Sequence, residues 1–386
     1  MKKIIPGFLV KKLMALVFLM TLTGKAGLFA IPLRIAPPQL GGEHPERTVI
    51  QDRIDSTFRA EAERYSREVQ GIDSDPQEMI RAFATSSVFS STGASLRAYQ
   101  GYDNFALTVG AMGGIQLPVS VFSMFNAEIA NLAEKIVDDM NRDNDLRIGI
   151  NPQIINAQFG VNTSKFLLKG LYLGLKGGYT NLNLNLEDFR TTFQTLSAGA
   201  LINYQVIPQT RYIGGVVVWR GLNIGTGFIY QRTSLTMGVP LFAEDGDAAF
   251  PITGNIVGLI LDPRLEMRFS VNTYTVPLEA VTSIRLLGFL NASFGGGMDF
   301  GFGSATLGGG VDADITVEGL PLGLRVDKKG SFSVIMGGTN TPFLFNPKAM
   351  ASLGFSIGPA IIMDIPITYY FLNNGYNIGI TLGLAF

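Results

Sequence analysis

The chain has 386 residues, of which 47% are hydrophobic and only 16% are charged, whereas charged residues make up about 25% of ordinary globular domains. It contains no Cys and one His, which excludes a disulfide scaffold or a Cys-ligated metal and argues against Ser-His catalysis and multi-His metal sites. The formal net charge of −1 gives no basic footprint for nucleic acid, so we expect no nucleic-acid partner.

Residues 1–30 have the pattern of a secretory signal peptide. Lysines at positions 2, 3, 11 and 12 precede an apolar stretch from Leu13 to Leu22, and small or medium residues follow up to Ala30. We therefore expect secretion and cleavage after Ala30. The alternative is an uncleaved N-terminal membrane helix, for which this apolar stretch is short.

Residues 31–102 form a second segment, which carries much of the charge. Apolar residues recur at spacings of three or four from Ile50 to Val69, which predicts an amphipathic helix. Pro76 suits the first position of another helix, and the small, polar stretch from Ser86 to Ala98 predicts a loop. Residues 121–141 also show helical spacing. The segment 31–102 is predicted either to act as a hatch that plugs the lumen of the barrel predicted below for the following residues, or to lie in the periplasm.

From Asp145 to Phe386 the apolar residues alternate with small and polar ones. Leu290 to Phe302 has its apolar residues at even positions, and Ala305 to Val317 has them at odd positions. Alternation of this kind predicts strands with one apolar face. We interpret these two stretches as adjacent strands.

Three features predict that this apolar face meets lipid. The signal places the chain outside the cytoplasm, and several predicted strands exceed the five or six residues usual in globular sheets. The last strand resembles the assembly signal of bacterial outer-membrane barrels, through Tyr376, Ile378, Ile380, Leu382, Leu384 and Phe386. The expected partners are outer-membrane lipid and the barrel-assembly machinery. A soluble secreted β protein is the alternative.

A sheet in lipid must close on itself, because each unpaired backbone group in hydrocarbon costs several kcal/mol. At roughly 18 residues per strand and connection, about fourteen strands are expected, within a range of about twelve to sixteen. The predicted fold is an all-β transmembrane antiparallel barrel over residues 103–386, in the bacterial outer membrane, with an N-terminal helical hatch.

Glycines on the predicted polar faces leave part of the inner wall without side chains. Glycine within a strand often marks a bend or a close approach, and proline cannot donate to the ladder. The wall therefore provides either space for a plug and for side chains from across the barrel, or a kink through which a ligand leaves. The residues concerned are Gly295, Gly297, Gly301, Gly308, Gly310 and Pro359.

The predicted organisation of the chain resembles that of the FadL-type long-chain fatty acid transporters. It comprises a secretion signal, a segment that could plug the lumen and a barrel ending in Phe386. The stretch Phe83-Ala84-Thr85-Ser86-Ser87-Val88-Phe89-Ser90-Ser91-Thr92-Gly93-Ala94 is similar to that family's segment between hatch and barrel. The family typically carries Asn-Pro-Ala-Gly there, whereas this chain has Ser90-Ser91-Thr92-Gly93.

The resemblance implies a passive channel for long-chain fatty acids or other hydrophobic small molecules, gated by the hatch and with exit through the wall kink. Because the predicted inner face is polar, Phe83, Val88 and Phe89 are the candidate ligand-binding residues of the hatch. No catalytic residue, cofactor or metal is expected. The alternatives are a diffusion porin for small polar solutes and a barrel that acts through its surface loops.

Overall fold

A computed structural model describes residues 33–43, 45–56, 59, 76–92, 102–117, 149–186, 189–240, 250–251, 258–318, 324–357 and 360–386. The predicted signal peptide, the predicted helix at residues 121–141 and Pro359 lie outside these residues. Within them, no helix is long and apolar enough to cross a bilayer.

The described elements are two helical segments and a series of antiparallel strands. Residues 47–56 are helical, and helix α1 comprises Pro76–Ser91. The strands are β1 Leu33–Ala36, β2 Gln39–Gly41, β3 Phe105–Gln116, β4 Gly149–Asn162, β5 Leu171–Leu186, β6 Phe189–Ile207, β7 Thr210–Tyr212, β8 Val217–Pro240, β9 Phe250–Pro251, β10 Gly258–Leu286, β11 Leu290–Glu318, β12 Arg325–Lys328, β13 Gly330–Asn340, β14 Phe345–Ile357, β15 Ile361–Tyr370 and β16 Gly375–Ala385.

Ten of these strands close into a ring. The order is β3, β4, β5, β6, β8, β10, β11, β14, β15 and β16, and β16 pairs with β3 to complete the barrel. The prediction of about fourteen strands therefore exceeds the ten of the ring, although the sheet that contains the ring has fourteen strands among the described residues. It assumed strands of uniform length, whereas β10 and β11 each have 29 residues and use much of the chain in two strands.

The ring has a short side and a tall side. Strands β3, β4, β14, β15 and β16 have 10 to 14 residues, whereas β5, β6, β8, β10 and β11 have 16 to 29. We call the second group the tall wall. The lower rim is the end with the turns 163–170, 208–216 and 287–289, where β16 also ends. The upper rim is the opposite end, where β3 ends at Gln116 and β15 ends at Tyr370.

Strand β11 corrects the prediction of two adjacent strands on either side of Gly303. It is continuous from Leu290 to Glu318 and pairs with β10 along its whole length. Its other edge pairs with β14 as far as Phe300 and with β13 from Ala305. Gly303 lies at this change of partner with φ of +129°, a conformation that disfavours other residues.

Because β11 is one continuous strand, its apolar side chains lie on the outer face below Gly303 and on the enclosed face above it. Below Gly303 the outer face carries Phe294 and Phe302, and the enclosed face carries the fully buried Asp299. Above it, Thr306 is exposed on the outer face and Ala305 is fully buried on the enclosed face. The shift from even to odd apolar positions therefore marks a change of environment within one strand.

The neighbouring strands change polarity at the same level. On β10 the outer face carries exposed Tyr274, and Arg268 is exposed farther up. The enclosed face changes from buried Thr273 to buried Val271 and Phe269. Tyr274 pairs with Phe302 of β11 and Tyr230 of β8, so an aromatic line crosses the outer face of the tall wall at this boundary.

Substitution of Gly303 tests its positive φ at the change of strand partner in β11. A Cβ at this position would lie 2.0 Å from the Asn272 carbonyl oxygen, and the left-handed backbone adds strain of about 1–3 kcal/mol. We expect Gly303→Ala to lower the free energy of unfolding by about 2 kcal/mol. Urea titration of the refolded barrel, monitored by Trp219 fluorescence, measures this change.

Gly308 provides a matched control on the same strand. It is exposed, and a Cβ there would meet nothing within 4 Å. Gly308→Ala should change the unfolding free energy by less than about 0.5 kcal/mol. Equal effects of the two substitutions would contradict a specific requirement for glycine at Gly303.

Candidate functional site

Helix α1 is enclosed by the ring. Every residue from Ala82 to Thr92 is buried. Side chains and carbonyls of this stretch contact strands all round the barrel. The hydrogen-bonding partners lie on β4 (Asn151), β5 (Lys176), β8 (Gln231), β10 (Thr273 and Thr275), β11 (Asp299), β15 (Tyr370) and β16 (Asn377).

The beginning of α1 follows the sequence signal at Pro76. Proline is favoured at the first helical position, and Glu78 and Arg81, one turn apart, form an ion pair at 2.6 Å. The end of α1 corrects the predicted loop from Ser86, since the helix continues to Ser91. Serine hydroxyls within it donate to carbonyls three residues earlier, as in Ser91 to Val88 at 2.8 Å. This bonding satisfies hydroxyls that propensity alone would place in a loop.

Two glycines allow the helix to approach the ring closely. A Cβ at Gly114 of β3 would lie 2.3 Å from the Ser86 carbonyl oxygen, and one at Gly149 of β4 would lie 2.2 Å from the Ala82 carbonyl oxygen. The helix backbone therefore lies directly on the strand backbone at these points. Sequence reasoning did not single out either glycine.

A charged cluster lies where α1 ends. Lys348 Nζ is 2.6 Å from Asp299 Oδ1 and 2.5 Å from Glu279 Oε1. The Tyr370 hydroxyl donates to Asp299 Oδ2 at 2.9 Å. Thr92, the residue after α1, donates to the same oxygen at 2.9 Å. We call these five residues, Thr92, Glu279, Asp299, Lys348 and Tyr370, the charged cluster.

The cluster depends on a missing side chain. Glu279 of β10 and Lys348 of β14 are separated by β11, where both pair with Gly297. Because Gly297 has no side chain, the two long side chains can meet across the intervening strand. The Lys348 and Asp299 side chains are fully buried, and buried charges are tolerated when they are paired and hydrogen-bonded.

A cluster of amide and hydroxyl side chains, together with one lysine, holds the other side of α1. Gln231 Nε2 donates to Ser90 Oγ at 2.9 Å and to Asn151 Oδ1 at 3.0 Å. Asn151 Nδ2 donates to Thr233 Oγ1 at 2.9 Å. Lys176 Nζ donates at 2.5 Å to the Ser91 carbonyl oxygen, which places a cation at the negative end of the helix dipole.

The three predicted ligand-binding residues of the hatch all lie on α1 and contact the wall. The Phe83 ring centroid is 5.0 Å from that of Phe269. The Phe89 ring stacks on Tyr370 at 3.8 Å. Val88 is fully buried, and its methyl groups would meet a Cβ at Gly301. These three residues thus form apolar contacts between α1 and the ring.

The predicted wall-kink residues do not share one face. Gly295, Gly297 and Gly301 are on the enclosed side of β11. Gly308 and Gly310 have the opposite parity on the same continuous strand, and Gly308 is exposed on the outer face. The described glycine of β11 that has a positive φ is Gly303, between the two groups.

The terminal-strand residues lie on β16 and at its end. Ile378, Ile380, Leu382, Leu384 and Phe386 are 39–58% exposed, whereas Tyr376 is buried. Sequence reasoning did not bring Lys348, Glu279 or Tyr370 to the site. A signal was present, because a Lys and a Glu within the alternating region from Asp145 to Phe386 are conspicuous in a chain with only 16% charged residues.

The sequence matches a known family model over most of its length. The model of the Lsa36-like family matches residues 41–386, nearly the whole chain. The chain belongs to the Lsa36-like family. No curated protein matches the sequence of this Lsa36-like chain.

Solved structures show distant likenesses. The translocator domain of the autotransporter NalP from Neisseria meningitidis is 10% identical, with 74% of the Lsa36-like chain and 90% of that chain covered and a TM-score of 0.33. The toluene transporter TbuX from Ralstonia pickettii is 11% identical, with 78% and 96% covered and a TM-score of 0.24. The toluene transporter TodX from Pseudomonas putida is 11% identical, with 80% and 97% covered and a TM-score of 0.24.

Removing Lys348 tests the charged cluster. Lys348→Met leaves two carboxylates without their cation in a buried site, so we expect a loss of about 3–5 kcal/mol of unfolding free energy. Urea unfolding of the refolded Lsa36-like barrel measures it. The double variant Lys348→Met/Asp299→Asn should recover part of the loss, and additive losses would contradict coupling of these two side chains.

Proposed function

We propose that the chain is an outer-membrane β-barrel channel that α1 opens and closes, and that its ligands are long-chain fatty acids or other hydrophobic small molecules. The observation that carries the proposal is the combination of an apolar outer face with a helix that fills the ring. Separate observations support the membrane position, the role of α1 as a gate and the apolar character of the ligand.

The outer face of the ring supports a membrane position. Large apolar side chains on strands around the ring are more than half exposed, among them Leu175, Leu196, Phe228, Phe294 and Leu382. Soluble proteins rarely expose contiguous apolar patches beyond a few hundred Å². The enclosed face carries Thr, Asn, Gln and Ser, which is the arrangement of a barrel in lipid.

The height of the apolar face also fits a bilayer. On β10 the outward apolar residues extend from Ile284 to Tyr274, where the aromatic line lies. Ten strand residues span about 33 Å, or about 23 Å across a bilayer at a tilt of roughly 45°. Above this line the outer face carries exposed Arg232 and Arg268, which suits an aqueous environment.

The contacts of α1 support a gate. The helix is held mainly by neutral hydrogen bonds, such as Ser87 to Thr273 and Ser91 to Thr275, both at 3.1 Å. Each such bond contributes only about 0.5–1.5 kcal/mol net, because water can replace the partner. Displacement of α1 would break the Thr92–Asp299 bond and leave Lys348 paired with Asp299 and Glu279.

The apolar contacts of α1 support an apolar ligand. Phe83 and Phe89 pack on Phe269 and Tyr370 of the wall. A hydrocarbon chain can replace a contact of this kind at little cost, since both are apolar. Met237, Met267 and Val271 continue the apolar lining on the enclosed face of the tall wall.

The change of strand partner beside α1 supports an exit through the wall. Strand β11 passes from β14 to β13 around Gly301 and Gly303, and residues 341–344 between those strands are not in the ladder. Val88 of α1 covers Gly301 from inside. We propose that movement of α1 uncovers this part of the wall. Strand β16 serves recognition by the barrel-assembly machinery in the same proposal.

A diffusion porin for small polar solutes is the second candidate. It is favoured by the polar enclosed face, where Ser283, Ser293 and Ser352 form a row across three adjacent strands. A porin would show a steady open conductance in planar bilayers. A ligand-gated channel would show a closed baseline and would copurify with an apolar ligand, which mass spectrometry of extracted lipid would detect.

A reversible disulfide cross-link tests the gate. Because the chain has no native Cys, only the introduced residues can form a disulfide. Ser87 and Thr273 have side-chain oxygens 3.1 Å apart, so Ser87→Cys/Thr273→Cys should form a disulfide between α1 and β10. We expect oxidation to abolish uptake of radiolabelled oleate by bacterial cells that lack their own fatty acid channel, and reduction to restore it.

The two single-Cys variants are the controls and should take up oleate under both conditions. Unchanged uptake by the oxidised double variant would rule out α1 as the gate. No uptake by any variant, together with open ion-permeable channels, would favour the porin.

A further inference from the structure

The lower rim exposes large apolar side chains at the tips of its turns. Turn 163–170 carries Phe166 and Leu167, each 68% exposed. Turn 208–216 carries Ile213 at 77%, and turn 287–289 carries Leu287 at 65%. Tips of short turns in water normally carry Gly, Asn, Asp or Ser. The apolar outer face therefore continues around the lower rim instead of ending above it.

These turns are adjacent along the rim. The Gln205 amide donates to the Gly170 carbonyl at 2.8 Å, which joins the first turn to the end of β6. The Leu287 amide donates to the Val216 carbonyl at 2.7 Å, which joins the second turn to the third. The turns that carry the exposed side chains are thus neighbours along the rim, and we call them together the rim patch: residues 163–170, 208–216 and 287–289.

Backbone strain gives a second, independent observation. Ile213 has φ of +48° and Leu287 has φ of +52°. This left-handed conformation suits Gly, Asn or Asp and is a genuine outlier for a β-branched residue. The third non-glycine residue of this kind among those described is Asn374, in an upper turn, with φ of +45°. The rim patch therefore keeps apolar side chains at positions where the backbone favours a polar residue.

The charge of the rim patch is of one sign. Lys165, Lys169 and Arg211 are exposed, and the three segments contain no Asp or Glu. Asp103, just before β3, also lies exposed at the lower rim. Apolar tips flanked by Lys and Arg fit a layer of anionic lipid head groups, where each basic residue is attracted by the surface potential.

We propose that the rim patch is immersed in the head-group region of one leaflet and binds anionic phospholipid through Lys165, Lys169 and Arg211. Ile213 and Leu287 insert below the phosphates, and burial of these side chains offsets the strain of the two turns. The inference rests on the membrane position in the proposed function but not on the gate or the ligand.

Spin labels at three single-Cys positions test the depth of the rim patch. Leu278→Cys reports on the apolar face, Leu287→Cys on the rim patch and Thr306→Cys on the outer face above the aromatic line. The barrel is reconstituted in vesicles of phosphatidylethanolamine and phosphatidylglycerol. We expect labels at 278 and 287 to be more accessible to oxygen than to a nickel chelate, and the label at 306 to show the reverse.

The outcomes separate the two proposals. A lipid-exposed label at 278 with a water-exposed label at 287 overturns the rim proposal alone and leaves the patch to a soluble partner. Water-exposed labels at both positions overturn the membrane position itself.

Lipid analysis tests the head-group preference. The fraction of phosphatidylglycerol that copurifies with the barrel should exceed the vesicle fraction. Lys165→Gln/Lys169→Gln/Arg211→Gln should abolish this enrichment. The matched variant Arg190→Gln/Arg232→Gln/Arg268→Gln, which removes three exposed cations from the tall wall, should retain it. Equal enrichment in the two triple variants would overturn the assignment to the rim patch.

Discussion

The closed backbone ladder is the constraint on which the rest of the structure depends. Once β16 pairs with β3, every ring strand has a partner on both edges, and each residue is directed either into the ring or away from it. The chain places its bulky apolar residues outward and its hydroxyl and amide residues inward. That assignment leaves a polar interior, which must be satisfied by hydrogen bonds, and α1 supplies many of them.

The charged cluster follows from the same ladder. Lys348 and Glu279 are on strands that do not touch, and they meet because β11 presents Gly297 between them. The cluster then fixes Asp299 as an acceptor for Thr92 and Tyr370. Gly297 of β11 thus allows side chains of β10 and β14 to form a cluster that also binds the end of α1. The proposed gate depends on this connection between the wall and α1.

Much of the fold was readable from periodicity, because a strand in a ring repeats its environment every second residue. The apolar face of β16 and the start of α1 at Pro76 were predicted from local patterns alone. Strand continuity was not. Around Gly303 the apolar residues shift from even to odd positions. This sequence pattern is the same whether the chain turns back into a second strand or continues as one strand into a different environment. Only the pairing of β11 with β10 on both sides of Gly303 distinguishes the two cases.

By itself, the sequence determined where apolar residues alternate with small and polar ones and which face of each such stretch is apolar, since those properties are local. The tertiary structure alone decided that ten strands close the ring and which residues meet inside it. Asp299 is 49 residues from Lys348 and 207 from Thr92, and no local pattern relates positions so far apart. Their contact depends on the register of several strands at once, and register is set by the complete ring of hydrogen bonds.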